Sequence, residues 1–195
     1  MKVNINPLGR QIMKKSFASA IIFLGLGLSC NASADIGVIS GITWADTPAA
    51  VQEKSTNFKE LRDVANSRTF EGILKQKQAI LGEGKKITYH FTGQKMFSAS
   101  VTVEKYTENS TEAINKAKAD YQAMKTKIAK TLGVKPNEVE SFNKDKPFFQ
   151  CIYDENCGSY ASSFLTKDTE IALFLMGSES GSRSELMVTI RRAPK

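Results

Sequence analysis

Residues 86–132 read KITYHFTGQKMFSASVTVEKYTENSTEAINKAKADYQAMKTKIAKTL, and this stretch decides the fold class. In 86–91, Ile87, Tyr89 and Phe91 alternate with Thr88 and His90, the two-residue period of a half-buried strand. Thr92-Gly93-Gln94-Lys95 reads as a turn. Beyond it Phe97, Ala99, Val101 and Val103 alternate with Ser98, Ser100, Thr102 and Glu104, so an antiparallel hairpin with one apolar and one polar face is expected.

The period then changes. Ile114, Ala117, Tyr121, Met124, Ile128 and Leu132 make one stripe at helical spacing. Asn109 is placed to cap the helix with Glu112 reaching back, and Gly133 followed by Pro136 ends it. A helix over 110–132 spans roughly 35 Å, long enough to lie across a small sheet. Lys118 and Lys125 flank the stripe with stems suited to snorkelling, while Lys116, Lys127 and Lys130 point away, as a solvated face or a surface for an acidic partner.

C-terminal to the helix, residues 148–153 (FFQCIY), 159–166, 170–176 and 185–192 read as strands. The segment EIALFLM at 170–176 is apolar on both faces apart from its first residue, which marks a central strand or one covered by helix. The expected architecture is α+β: an antiparallel sheet of two strand-rich regions with the long helix, about 110–132, packed on one face. Those regions, on either side of the helix, hint at a duplicated unit.

Toward the N-terminus, Thr47-Pro48 signals a helix start, and Val51, Ser55, Phe58, Leu61 and Ala65 continue at helical spacing, with Asn57 as a point of interruption. Trp44, the single tryptophan, is placed to anchor the first turn of that helix. Residues 70–81 (FEGILKQKQAIL) leave two readings open: a helical face, or a strand ahead of a hairpin turn at Gly82-Glu83-Gly84.

Lys14-Lys15, the apolar run 17–28 and Ala32-Ser33-Ala34 are the three parts of a secretory signal peptide. Residues 1–34 are expected to be removed, leaving 35–195 as a single α+β domain. Met13 is an alternative start to Met1, since the signal is complete without the first twelve residues. Leu28-Ser29-Cys30 competes as a lipid-attachment site, although Gly27 stands where such sites carry leucine. The apolar run is shorter than the ~20 residues that span a bilayer, and the mature chain is expected to contain no transmembrane segment. Residues 1–34 hold four basic residues and no acid, so removal takes 27 Lys and Arg to 23 against 20 Asp and Glu, and the formal charge from +7 to +3. Most of the basicity leaves with the signal, and nucleic acid is not an expected partner.

Removal after Ala34 leaves Cys151 and Cys157, an even pair suited to a disulfide in an oxidising compartment. Their C-x5-C spacing matches neither a redox C-x-x-C nor a zinc pair. His90 is the only histidine, and it sits on the polar face of its strand. There is no G-x-S-x-G, no H-E-x-x-H and no EF-hand loop, so no catalytic residue, cofactor or metal site is assigned.

The opening Gly41-Ile42-Thr43-Trp44-Ala45-Asp46-Thr47-Pro48-Ala49-Ala50-Val51, with the later KITYHF and MFSASVTVEKY segments, resembles small exported bacterial α+β proteins of unassigned function. The resemblance implies an α+β fold and carries over no catalytic residue. The expectation is an exported envelope or periplasmic protein that binds another protein, a polysaccharide or a lipid. An inhibitor or immunity protein for an exported toxin is a subclass of that reading. The alternative from another class is a small periplasmic hydrolase using His90 or a carboxylate pair drawn from Glu104, Glu108, Asp154 and Glu155.

Overall fold

A computed structural model describes residues 35–154 and 156–193 of the chain. The signal peptide, both start sites and Cys30 lie outside the described residues. A two-stranded hairpin, β1 (Asp35–Ile36) and β2 (Ile39–Thr43), precedes α1 (Pro48–Lys54). Thr47 caps α1 as expected, its hydroxyl accepting from the Ala50 amide at 3.3 Å. The helix stops sooner than its spacing predicts. Ser55 already has extended backbone, Asn57 turns to a positive φ of 52°, and the chain continues as β3 (Ser55–Val64) against β4 (Ser67–Leu74). Phe58 faces the core from a strand rather than a helix, stacked on Phe70 at 5.1 Å.

That pairing settles residues 70–81 as strand followed by loop. Gly72, a poor residue for a helix interior, suits the strand. In β4 it gives way to its neighbour, because a Cβ there would sit 3.0 Å from the Phe58 ring and 3.1 Å from the Ser55 Cβ.

β5 (Lys86–Thr92) and β6 (Lys95–Tyr106) form the expected hairpin, with one local correction. Phe91 pairs with Met96 and His90 with Ser98, so Phe97 is an extra residue bulged out of register. Met96 and Ala99 both face the core, and Phe97 is 45% exposed on the opposite face. Strict alternation places Phe97 in the core; the bulge reverses it.

Next comes α2 (Thr111–Leu132), capped one residue later than expected. The Ser110 hydroxyl, not Asn109, accepts from the Ala113 amide at 3.1 Å, and Gly133 closes the helix at φ 66°. Ala117, Tyr121 and Ile128 of the stripe are buried, with Ile114, Met124 and Leu132 packed against the core's edge. After α2 comes β7 (Asn137–Phe142), an exposed edge strand that the apolar pattern did not reveal, since its residues are polar except Val139 and Phe142.

Residues 148–153 are also a correction. Phe148–Cys151 is a single helical turn, α3, in which the Cys151 and Ile152 amides donate to the Pro147 and Phe148 carbonyls. β8 (Gly158–Leu165), β9 (Thr169–Met176) and β10 (Ser184–Arg192) follow as expected.

The eight long strands form one antiparallel sheet in the order β3-β4-β5-β6-β10-β9-β8-β7. Each half is a four-stranded meander, and the last strand of each half meets the other at the centre. A helix followed by four strands occurs twice, α1 with β3–β6 and α2 with β7–β10, the second run interrupted by α3 between β7 and β8. All helices and the β1–β2 hairpin lie over one face, burying Phe70, Tyr89, Phe91, Val101, Val188, Leu173 and Phe164. Trp44 does more than anchor α1: its indole N–H donates to the Thr169 hydroxyl at 3.0 Å, tying the N-terminal hairpin to β9.

Candidate functional site

The sheet alternates, so every strand that sends one set of side chains under the helices sends the other to the opposite face. The side chains on that second face are half-buried or exposed, in contrast to the fully buried set beneath the helices. Registers align its residues in rows across the strands. One row runs Glu71, Thr88, Ser100, Thr189, Ala172 and Ser163, from β4 through β5, β6, β10 and β9 to β8. A neighbouring row carries Thr102, Met187, Phe174 and Ala161. A third carries Thr69, His90, Ser98, Arg191 and Glu170. From Thr88 to Ser163 the first row is short hydroxyl and methyl groups, half-buried by the strands around them.

Charge sits at the margins. Arg191 holds Glu170 with two hydrogen bonds of 2.9 Å, and this pairing keeps the Glu170 carboxyl below its ordinary range. At the opposite side Glu71 lies 3.4 Å from both Lys59 and Lys86. Glu185 accepts from the Thr102 hydroxyl and pairs with Lys105, both at 3.1 Å. Between these groups a cleft of about 480 Å³ opens over Thr88, Ser100 and Thr102, bordered by Lys85, Lys86, Lys105 and Met187.

His90 belongs to this face but not to the cleft. Its Nδ1 is 3.3 Å from the Thr69 hydroxyl and its ring leans on Phe97, centroids 6.0 Å apart. Burial between these neighbours pushes its pKa below the ordinary 6.5, which favours the neutral ring. Of the other residues weighed for hydrolysis, Glu104 is drawn to Lys85 at 3.8 Å. Asp154 is occupied by the Asn156 amide at 3.0 Å and Lys146 at 3.2 Å. Glu104 and Asp154 lie on separate elements and do not converge with His90, and Glu155 lies outside the described residues. Among the described residues no group of three or more His, Cys, Asp or Glu is placed to hold a metal ion.

Cys151 and Cys157 are brought together, Cα atoms 5.0 Å apart, and joined by a disulfide. The bridge closes the turn after α3. α3 and that turn pack tightly against the β9–β10 connection, where a Cβ on Gly177 would collide with the Phe149 carbonyl oxygen.

Four of the five α2 lysines are engaged within the fold. Lys116 pairs with Asp120, Lys125 with Glu138 and Glu140, and Lys127 donates to the Ile80 carbonyl at 3.2 Å. Lys118 lies over the Phe148 and Phe142 rings at 4.3 and 4.6 Å. The lysines at the cleft, in contrast, are more than 60% exposed at Lys86 and Lys105. Sequence reasoning passed over these because Lys85-Lys86 and Lys105 lie about twenty residues apart, with nothing local to join them. The available signal was the polar side of β5 and β6, written in Thr and Ser where a merely solvated face carries Lys and Glu.

No protein-family model, curated protein or solved structure matches this chain. Among the described residues no helix is long and apolar enough to cross a membrane.

Proposed function

We propose that this is an exported protein of the bacterial periplasm or envelope that binds a partner on the open face of its sheet and performs no catalysis. One observation carries the reading: the open face is floored across five strands by Thr88, Ser100, Thr189, Ala172 and Ser163. Short side chains across the middle of a sheet leave a smooth surface with hydrogen-bonding capacity and little side-chain entropy to lose on contact. The pattern at Ala32-Ser33-Ala34 and the Cys151–Cys157 bridge support passage to an oxidising compartment. The surroundings of His90 supply a hydroxyl and a phenyl ring, without the carboxylate that a histidine-dependent hydrolase needs beside it.

Affinity capture from the native envelope tests the proposal, using the mature protein beginning at Asp35 and a Thr189→Arg variant. Arginine in the middle of the floor should abolish capture of a near-stoichiometric partner while leaving the thermal transition in place. Equal capture by both proteins would move the binding surface elsewhere, and turnover of a captured component would overturn the non-catalytic reading.

A further inference from the structure

The cleft at the lysine-bearing margin of the open face has a composition of its own. Its floor presents three hydroxyls from adjacent strands, Thr88 on β5 and Ser100 and Thr102 on β6. The Thr88 and Ser100 hydroxyls can donate and accept, while Thr102, whose proton is held by Glu185, accepts. Met187 adds one flexible apolar contact, and the lining contains no aromatic ring. Three lysines, 85, 86 and 105, stand against one carboxylate, Glu71, in the lining itself.

The lysines differ in what holds them. Lys85 is anchored by the Val103 carbonyl and leans toward Glu104. Lys86 shares Glu71 with Lys59, so two ammonium groups divide one carboxylate at 3.4 Å each. Lys105 pairs with Glu185, but its side chain is 67% exposed. Exposed pairs of this kind contribute little, so an arriving anion can compete for Lys86 and Lys105 at small cost. A volume of about 480 Å³ falls within the range of small-ligand sites.

We infer that this cleft binds an anionic saccharide: sugar hydroxyls on Thr88, Ser100 and Thr102, an apolar ring face on Met187, and a carboxylate or phosphate on Lys86 and Lys105. The inference rests on the open-face reading above and names the ligand class for part of that face. A nucleic acid would offer anions too, yet the cleft has no ring on which a base could stack. A lipid surface would call for exposed apolar side chains where the floor has hydroxyls.

The test is calorimetric titration of the mature protein with trigalacturonate and with a hexose 6-phosphate, which separate a carboxylate source from a phosphate source. Maltotriose supplies hydroxyls without charge, and tripolyphosphate supplies charge without a sugar. Binding of either anionic sugar should weaken as salt rises. It should fall about tenfold or more in Lys86→Ala/Lys105→Ala, and also in Ser100→Ala/Thr102→Val, because both sets of contacts are used. The lysine changes are at exposed positions and should leave the thermal transition unchanged. Equal affinity for maltotriose, equal or tighter affinity for tripolyphosphate, or binding indifferent to both double variants would overturn the inference. If neither anionic sugar binds while Thr189→Arg still abolishes envelope capture, the saccharide inference fails and the open-face reading stands. If capture also survives Thr189→Arg, both fail.

Discussion

The Tyr121 hydroxyl meets the Ser162 hydroxyl at 2.6 Å, joining the middle of α2 to β8. Both residues are buried, in a layer made mostly of apolar side chains. Each hydroxyl would be an uncompensated polar group without the other, so the pair holds the helix at one position along the sheet. Ser162→Ala leaves the phenol unpaired and should destabilise by about 1–3 kcal/mol. Tyr121→Phe/Ser162→Ala removes both partners and should lose less than the two single changes added together. Denaturant midpoints for the four proteins of the cycle measure this, and strict additivity would mean that the contact does not couple α2 to β8.

Ile128 tests the buried stripe. Ile128→Ala should cost roughly 2–5 kcal/mol, because the cavity adds to the lost burial. Lys130→Ala, on the exposed side of α2, should stay within about 0.5 kcal/mol. Urea unfolding distinguishes them, and matching midpoints would assign the wrong face to the helix.

The disulfide links residues six apart, so the chain-entropy account allows it only about 2 kcal/mol. Cys151→Ala/Cys157→Ala should therefore still fold. Hydrogen exchange should quicken mainly in residues 148–165 and in the β9–β10 connection packed on α3. Non-reducing alkylation of the wild type should label neither thiol, and quantitative labelling of both would dispose of the bridge.

His90 gives a pH dependence with a definite sign. Its folded pKa is lowered from 6.5 by burial, so the unfolded chain binds the proton more readily than the folded one. The histidine's contribution to stability is then fully present above pH 6.5 and declines as pH falls through the folded value. His90→Gln should flatten that part of the stability profile between neutral and mildly acidic pH. An unchanged slope would place the acid sensitivity in other groups.

The α+β class, the hairpin at 86–106, the helix stripe and the Cys151–Cys157 pairing were legible because each follows from a local pattern or a simple count. What escaped was decided by tertiary contact. Val51, Ser55 and Phe58 fit a helix by spacing, yet Phe58 serves a strand once Phe70 is there to stack on it. Phe97 breaks alternation through a bulge no propensity announces. β7 has little apolar signal because it is an edge, held by Glu138 and Glu140 to Lys125. The cleft was hidden for a related reason. Its hydroxyls and lysines come from strands and a loop that only the sheet registers bring side by side.

The seam between β6 and β10 has a consequence for how the chain is completed. Ser184 pairs with Tyr106 and Arg191 with Ser98, so the middle of the sheet is made by the C-terminal strand reaching back across everything after the first meander. Until residue 192 is available, each half keeps a bare inner edge where its neighbour belongs. The sheet therefore closes only through a long-range pairing of β6 with β10, the kind of contact that forms late and slowly once the two meanders have found their own local registers.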